Sequence, residues 1–166
     1  MQHRFFRVCL FLLALFMVLP LAIASPAYAA TDAYVTRYLR VTEPVPLALD
    51  EQGKTRLFPA DEFAAGKQLF ERNCLNCHVG GATLPDPTVS LSLADLQGAT
   101  PRRDTVSSLV AYLRQPMTYN GTEETFWCRQ IPESWLSQAQ IESLAGFVLR
   151  AAQTAPGWGG ALFPEK

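Results

Sequence analysis

The chain predicts an all-α domain with a short β-hairpin near its N-terminus, and three observations carry that expectation. Apolar residues recur at helical spacing in three separate stretches, capping residues open these stretches, and two short β-prone runs flank an Asp-Glu-Gln-Gly turn. From residue 30 onward the chain first reads as extended, Thr36 to Val41 being β-prone. Pro46-Leu47-Ala48-Leu49 and Lys54-Thr55-Arg56-Leu57 then form the two strands around Asp50-Glu51-Gln52-Gly53. Such a ribbon is marginal alone, so it must lie on a helical body.

Pro59 and Asp61 open a helix that runs to Cys74, with Phe63, Gly66, Leu69 and Phe70 on one face. Glycine costs a helix about 1 kcal/mol relative to alanine. Its place on the packed face therefore predicts another helix crossing closely over it. The expected partner is the last helix, where Ser137-Gln138-Ala139-Gln140 is a capping box and Ile141, Leu144, Ala145, Val148 and Leu149 form a stripe, with Gly146 and Phe147 at the contact. Between the two, Asp104 or Thr105 caps a helix of Val106, Leu109, Val110 and Leu113 that stops at Pro116. Leu91 to Leu96 reads as one helical turn. Pro85, Pro87, Pro101, Pro116 and Pro132 mark the remaining segments as loops, and Tyr119-Asn120-Gly121 as a turn.

The first residues name a compartment. Arg4 and Arg7 precede an apolar run from Val8 to Ile23, and Ala27-Tyr28-Ala29 supplies the small residues of a cleavage site, so residues 1–29 read as a cleaved export signal. An uncleaved membrane anchor is the competing reading; Pro20 and the lack of a stop-transfer flank oppose it. Cleavage of the first 29 of 166 residues leaves 30–166, 137 residues, one domain by length. Removing Arg4 and Arg7 from the 14 basic residues leaves 12 against 15 acidic ones, a net charge of −3. Nucleic-acid binding, which asks for a basic stripe, is not indicated. A protein of this kind is peripheral to a membrane at most.

Cys74-Leu75-Asn76-Cys77-His78 carries the chemistry. A C-x-x-C-H run is the attachment site of a c-type haem: two thiols a helical turn apart each form a thioether to the porphyrin, and the adjacent histidine binds the iron axially. A zinc site would want a second Cys/His pair at short spacing, and residues 30–166 offer one further cysteine, Cys128, and no further histidine. A thioredoxin-like dithiol follows a strand, whereas this run follows a helix. One haem c is expected, attached after export.

The order of a helix entering C-x-x-C-H, loops around the ring and a C-terminal helix crossing the first resembles class I cytochromes c. Gln52-Gly53-Lys54-Thr55, Gly66-Lys67-Gln68-Leu69-Phe70, Ala99-Thr100-Pro101-Arg102-Arg103-Asp104, Gln115-Pro116-Met117-Thr118-Tyr119-Asn120-Gly121 and Trp158-Gly159-Gly160 narrow the resemblance to the cytochrome c-550 family, the extrinsic haem subunit of photosystem II. The resemblance implies a class I cytochrome c fold over 30–166, one covalent haem, a place in the thylakoid lumen, and photosystem II lumenal subunits or a soluble redox partner as neighbours. It also implies two axial histidines, the second in the loop after the Tyr-x-Gly run.

That second histidine is absent here. The loop offers Phe126-Trp127-Cys128-Arg129 instead, and Cys128 stands 50 residues beyond His78, where the family's distal ligand falls. A thiolate stabilises ferric iron, so His78/Cys128 ligation implies a low-potential haem, with Arg129 expected to favour the deprotonated thiol. Met117 is the alternative soft donor, and an open iron the third option. Trp127, Trp135 and Tyr119 are candidates to shield the ring from water. The function expected is one-electron transfer without bond-making chemistry, so not an enzyme. A structural subunit of photosystem II, and a sensor or haem enzyme with a dissociable Cys128, are the alternatives.

Overall fold

A computed structural model describes residues 32–85 and 89–160, together with Arg4 and Arg7. The chain divides into two compact units, Met1–Ala30 and Thr31–Lys166. The signal expected over 1–29, apart from its two arginines, lies outside the described residues. Among the described residues no helix is long and apolar enough to cross a membrane.

The second unit opens with a short helix α1, Ala33–Arg37, where an extended segment was expected. The reason is a local cap. The Asp32 carboxylate accepts hydrogen bonds from the backbone N–H groups of Tyr34, at 2.8 Å, and Val35, at 3.3 Å, satisfying donors that a helix start otherwise leaves unpaired. The turn buries Val35 and then Leu39 and Val41 completely, which outweighs the β preference of the run. Lys67 Nζ reaches back to Asp32 at 3.1 Å and ties α1 to the next helix.

The ribbon forms as predicted: β1 (Val45–Ala48) pairs antiparallel with β2 (Thr55–Phe58), Val45 opposite Phe58. Leu47 and Phe58 point into the core and Leu57 away from it, while Arg56 lies on the Phe58 side with its guanidinium 3.8 Å from that ring. Helix α2, Ala60–Asn73, follows at once. Helices α3 (Leu93–Gly98) and α4 (Val106–Arg114) stand between it and the C-terminal α5 (Gln138–Thr154). Thr105 caps α4 and Ser137 caps α5, each in a capping box.

α2 and α5 cross where the glycine of α2 predicts. A Cβ at Gly66 would stand 2.0 Å from the Ser143 carbonyl oxygen and 2.9 Å from Phe147 Cβ, so the two backbones meet there. Phe147 is at the contact as expected, but Gly146 is not. It faces β2 instead: a Cβ there would come within 2.8 Å of the Phe58 ring, so the residue makes room for the ribbon rather than for α2. Phe70, Phe147 and Trp158 pack their rings with centroids 5.4 to 5.7 Å apart, and fasten the C-terminal segment across the crossing.

Candidate functional site

The Cys-x-x-Cys-His run continues the last turn of α2. Cys74 N–H donates to the Phe70 carbonyl at 2.8 Å, and the N–H groups of Cys77 and His78 both donate to the Cys74 carbonyl, at 3.0 and 2.9 Å. This winding brings Cys74, Cys77 and His78 to the wall of one cavity of about 590 Å³. The next residues turn back sharply. Gly81 has φ +81°, and a Cβ there would lie 2.6 Å from the Trp158 ring, so only glycine lets the turn lie flat on the indole. Trp158 Nε1 donates to the Leu91 carbonyl at 2.9 Å, and Leu91 N–H to the Gly81 carbonyl at 2.7 Å, which locks the segment after the motif to the rest of the wall.

The remaining wall is mostly aliphatic, with Leu96 from α3, Leu109 and Leu113 from α4, and Leu144 and Val148 from α5. The far loop completes it. Thr118 to Gly121 forms the expected turn, Met117 bridges to Glu124, and the chain then returns with Thr125, Phe126, Trp127 and Cys128 on the cavity. His78, Cys128 and Met117, residues 50 and 39 apart from the histidine in sequence, therefore share one cavity.

Cys74, His78 and Cys128 bear the mark of this enclosure. Burial pushes the Cys74 thiol up to about 12, and the nearby Cys128 and Cys77 thiols add to it. Burial lowers the basicity of His78, which keeps its imidazole neutral and a lone pair available. Burial also raises Cys128, but two groups oppose it: a hydrogen bond from the Tyr112 hydroxyl and the charge of Arg103. The cation beside Cys128 is thus Arg103 and not its neighbour Arg129, whose guanidinium lies 5.4 Å from the Trp135 ring.

Arg103 is only 8% exposed. Its Nη2 donates to the Met117 and Thr118 carbonyls, at 3.1 and 2.7 Å, and its guanidinium stacks 3.9 Å from the Tyr112 ring centroid. Among the described residues it forms no ion pair with a carboxylate, so a buried positive charge faces the cavity. Of the aromatic residues expected at the ring, Tyr119 and Trp127 line the cavity, and Trp135 does not. Phe126 and Trp127 remain 96% and 69% exposed at its rim. Arg103, Tyr112 and Thr83 were not singled out in the sequence. Tyr112 is legible only once α4 is placed, because it follows Leu109 by three and so falls on the same face.

An apolar cavity of this size, with two thiols one turn apart, a neutral imidazole beside them, a second soft donor on another loop and an unneutralised arginine, fits a haem with its anionic propionates. Fold and site together define a class I cytochrome c with one covalently bound haem c. The chain belongs to the cytochrome c-550 family, whose domain matches residues 33–164. It is 55% identical over 139 residues to a cytochrome c-550-like protein of Thermosynechococcus vestitus, covering 84% of this chain and 79% of that one. It is 53% identical over 135 residues to photosystem II extrinsic protein V of Gloeobacter violaceus, covering 81% and 73%. Among solved structures it is similar to the PsbV2 cytochrome of Thermosynechococcus elongatus, with 56% identity, a TM-score of 0.76, and coverage of 78% of this chain and 98% of that one. Cytochrome c549 is a more distant likeness, at 30% identity and a TM-score of 0.59, covering 69% and 95%.

Proposed function

We propose that the chain is a low-potential one-electron carrier of the thylakoid lumen, with its haem attached through Cys74 and Cys77 and its iron held by His78 and Cys128. The observation that carries this reading is the return of the Thr122 to Glu133 loop, which brings Cys128 to the cavity wall occupied by the Cys-x-x-Cys-His run. When bound, the haem supplies an iron that passes between the ferric and ferrous states. The chain's own residues set the conditions. Cys74 and Cys77 fix the ring against α2, His78 presents a neutral nitrogen, and Cys128 presents a sulfur whose negative form is supported by Tyr112 and Arg103. A thiolate donates electron density and favours the ferric state, which lowers the potential. The aliphatic side chains of α3, α4 and α5 exclude water from the ring. In this reading the protein carries out electron transfer rather than bond-making catalysis. Met117 is the alternative distal donor.

Residues 1–29 act as the export signal in this reading, and 30–166 as the mature monohaem domain. A second reading, a subunit associated with photosystem II, is supported by the relatives named photosystem II extrinsic protein V. Co-purification with photosystem II from mild detergent extracts tests it.

Near-infrared magnetic circular dichroism of the oxidised protein tests the ligation. The expected result is a thiolate-to-iron charge-transfer band that disappears in Cys128→Ser. A band typical of methionine ligation in the native protein would move the assignment to Met117, and a high-spin spectrum would remove both.

A further inference from the structure

Thr83 stands five residues beyond His78, and its Oγ1 lies 3.0 Å from His78 Nδ1. The same hydroxyl donates to the Val89 backbone carbonyl. A threonine hydroxyl has one hydrogen, and a backbone carbonyl can only accept. That hydrogen is therefore spent on Val89, and the contact with His78 is a hydrogen bond only if Nδ1 carries the proton and donates it to Oγ1. The opposite arrangement, with the threonine hydrogen aimed at Nδ1, would set the lone pairs of Oγ1 and of the Val89 oxygen against each other at close range.

We propose that Thr83 is the positioning residue of the proximal ligand, fixing His78 as the Nδ1–H tautomer with the Nε2 lone pair free for the iron. The inference rests on the reading of His78 as proximal ligand and adds to it what holds the ring. Backbone hydrogen bonds hold Thr83 in turn. His78 N–H donates to Cys74, Leu84 N–H to Cys77 at 2.9 Å and Leu91 N–H to Gly81, so Thr83 sits between bonded neighbours and cannot move its hydroxyl away without breaking some of these bonds. An acceptor on Nδ1–H also raises the basicity of the nitrogen that faces the metal, which stabilises the ferric state.

The test uses the haem-loaded protein with ¹⁵N-labelled histidine. In the native protein the His78 Nδ1–H resonance is expected to be protonated and slow to exchange with solvent. Thr83→Val keeps the side-chain shape, removes the acceptor, and is expected to speed that exchange and raise the midpoint potential. The rise reads as a severalfold increase in the ferrous-to-ferric ratio at a fixed poise, a tenfold increase corresponding to 59 mV for a one-electron couple. Thr83→Ser, which restores a hydroxyl, is expected to recover both values; a residue that only braced the loop would not produce that rescue. An Nδ1–H that exchanges as rapidly in the native protein as a free imidazole, or a folded Thr83→Val protein with unchanged exchange and potential, overturns the proposal. The native measurement decides the matter even where Thr83→Val fails to fold. Failure of the underlying reading looks different: His78→Ala would then keep a low-spin haem spectrum, while the Nδ1–H signature concerns only the tautomer.

Discussion

Arg102 and Arg103 are neighbours of identical chemistry, and the structure gives them opposite fates. Arg102 pairs with Asp104 on the surface, whereas Arg103 is buried against Tyr112 and two carbonyls of the far loop. Nothing in their local sequence separates them, because the difference arises from where α4 and the far loop meet. The place of Cys128 on the cavity wall, in contrast, was foreshadowed by the family's distal-ligand position, 50 residues beyond His78, and by the lack of another histidine in 30–166. Its partners were not, and the adjacent Arg129 was the wrong cation. A consequence follows for Tyr112, whose hydroxyl shares the cavity with Cys128 and supports the negative form of its sulfur. A donor to a ligating thiolate withdraws electron density from the metal. Tyr112→Phe is therefore expected to shift the midpoint potential to more negative values with the haem still low-spin, as read by spectroelectrochemical titration. An unchanged potential would show that this hydroxyl does not act on the ligand.

At the scale of elements, the crossing of α2 and α5 was readable from a single glycine, since a helix keeps so unfavourable a residue on its packed face only where a close approach needs it. Gly66→Ala should destabilise the protein by about 1–3 kcal/mol through overpacking against the Ser143 carbonyl, the helix-propensity gain of about 1 kcal/mol being smaller than the clash. The midpoint of denaturant unfolding measures this; a more stable variant would mean that the helices slide apart freely. The ribbon and the Ser137 capping box were equally legible, because their signals lie within four to ten residues, whereas the cap of α4 was narrowed only to Asp104 or Thr105. Helix α1 was not, since its five residues are too few for periodicity to appear and its existence depends on Asp32 and on burial by distant parts of the chain. Gly146 was misassigned for a related reason: α5 is buried on several sides, and periodicity alone does not say which neighbour each side meets.

Over the whole molecule, two features make stability depend on conditions. The first is the link between α1 and α2. Burial works against the Asp32 carboxylate, but hydrogen bonds from Lys67 and from the Tyr34 and Val35 N–H groups outweigh it and hold its pKa below the ordinary value. Lys67 is raised, its burial being outweighed by Glu71 and Asp32. A depressed carboxylate contributes stability above its unfolded pKa of about 4 and loses it as the pH falls through the folded value, while a raised lysine loses its share above about 10.4. Asp32→Asn should therefore lower the thermal midpoint at neutral pH, and the difference from the native protein should shrink as both are acidified below pH of about 4. An equal difference at low pH would assign the effect to the cap geometry alone. The second feature is the cavity. Without haem, Leu109, Leu144 and Val148 lose the partner atoms on one side, so Cys74→Ala/Cys77→Ala protein made without haem should show reduced helical circular dichroism and no sharp thermal transition. A native-like cooperative transition would show that the apolar walls close on themselves.

The meeting of residues 78 and 128 at one cavity also has a polymer-physics meaning. Under the proposed ligation the iron cross-links the chain across a 50-residue span, and a link of that length restricts the unfolded ensemble much as a disulfide does, contributing about 4 kcal/mol in the chain-entropy picture. Unlike a disulfide, this link is made by a metal whose hold on sulfur weakens when it gains an electron. The electron that such a carrier takes up would thus loosen a staple, and the span from α3 to the far loop would be stiffer in the oxidised protein than in the reduced one.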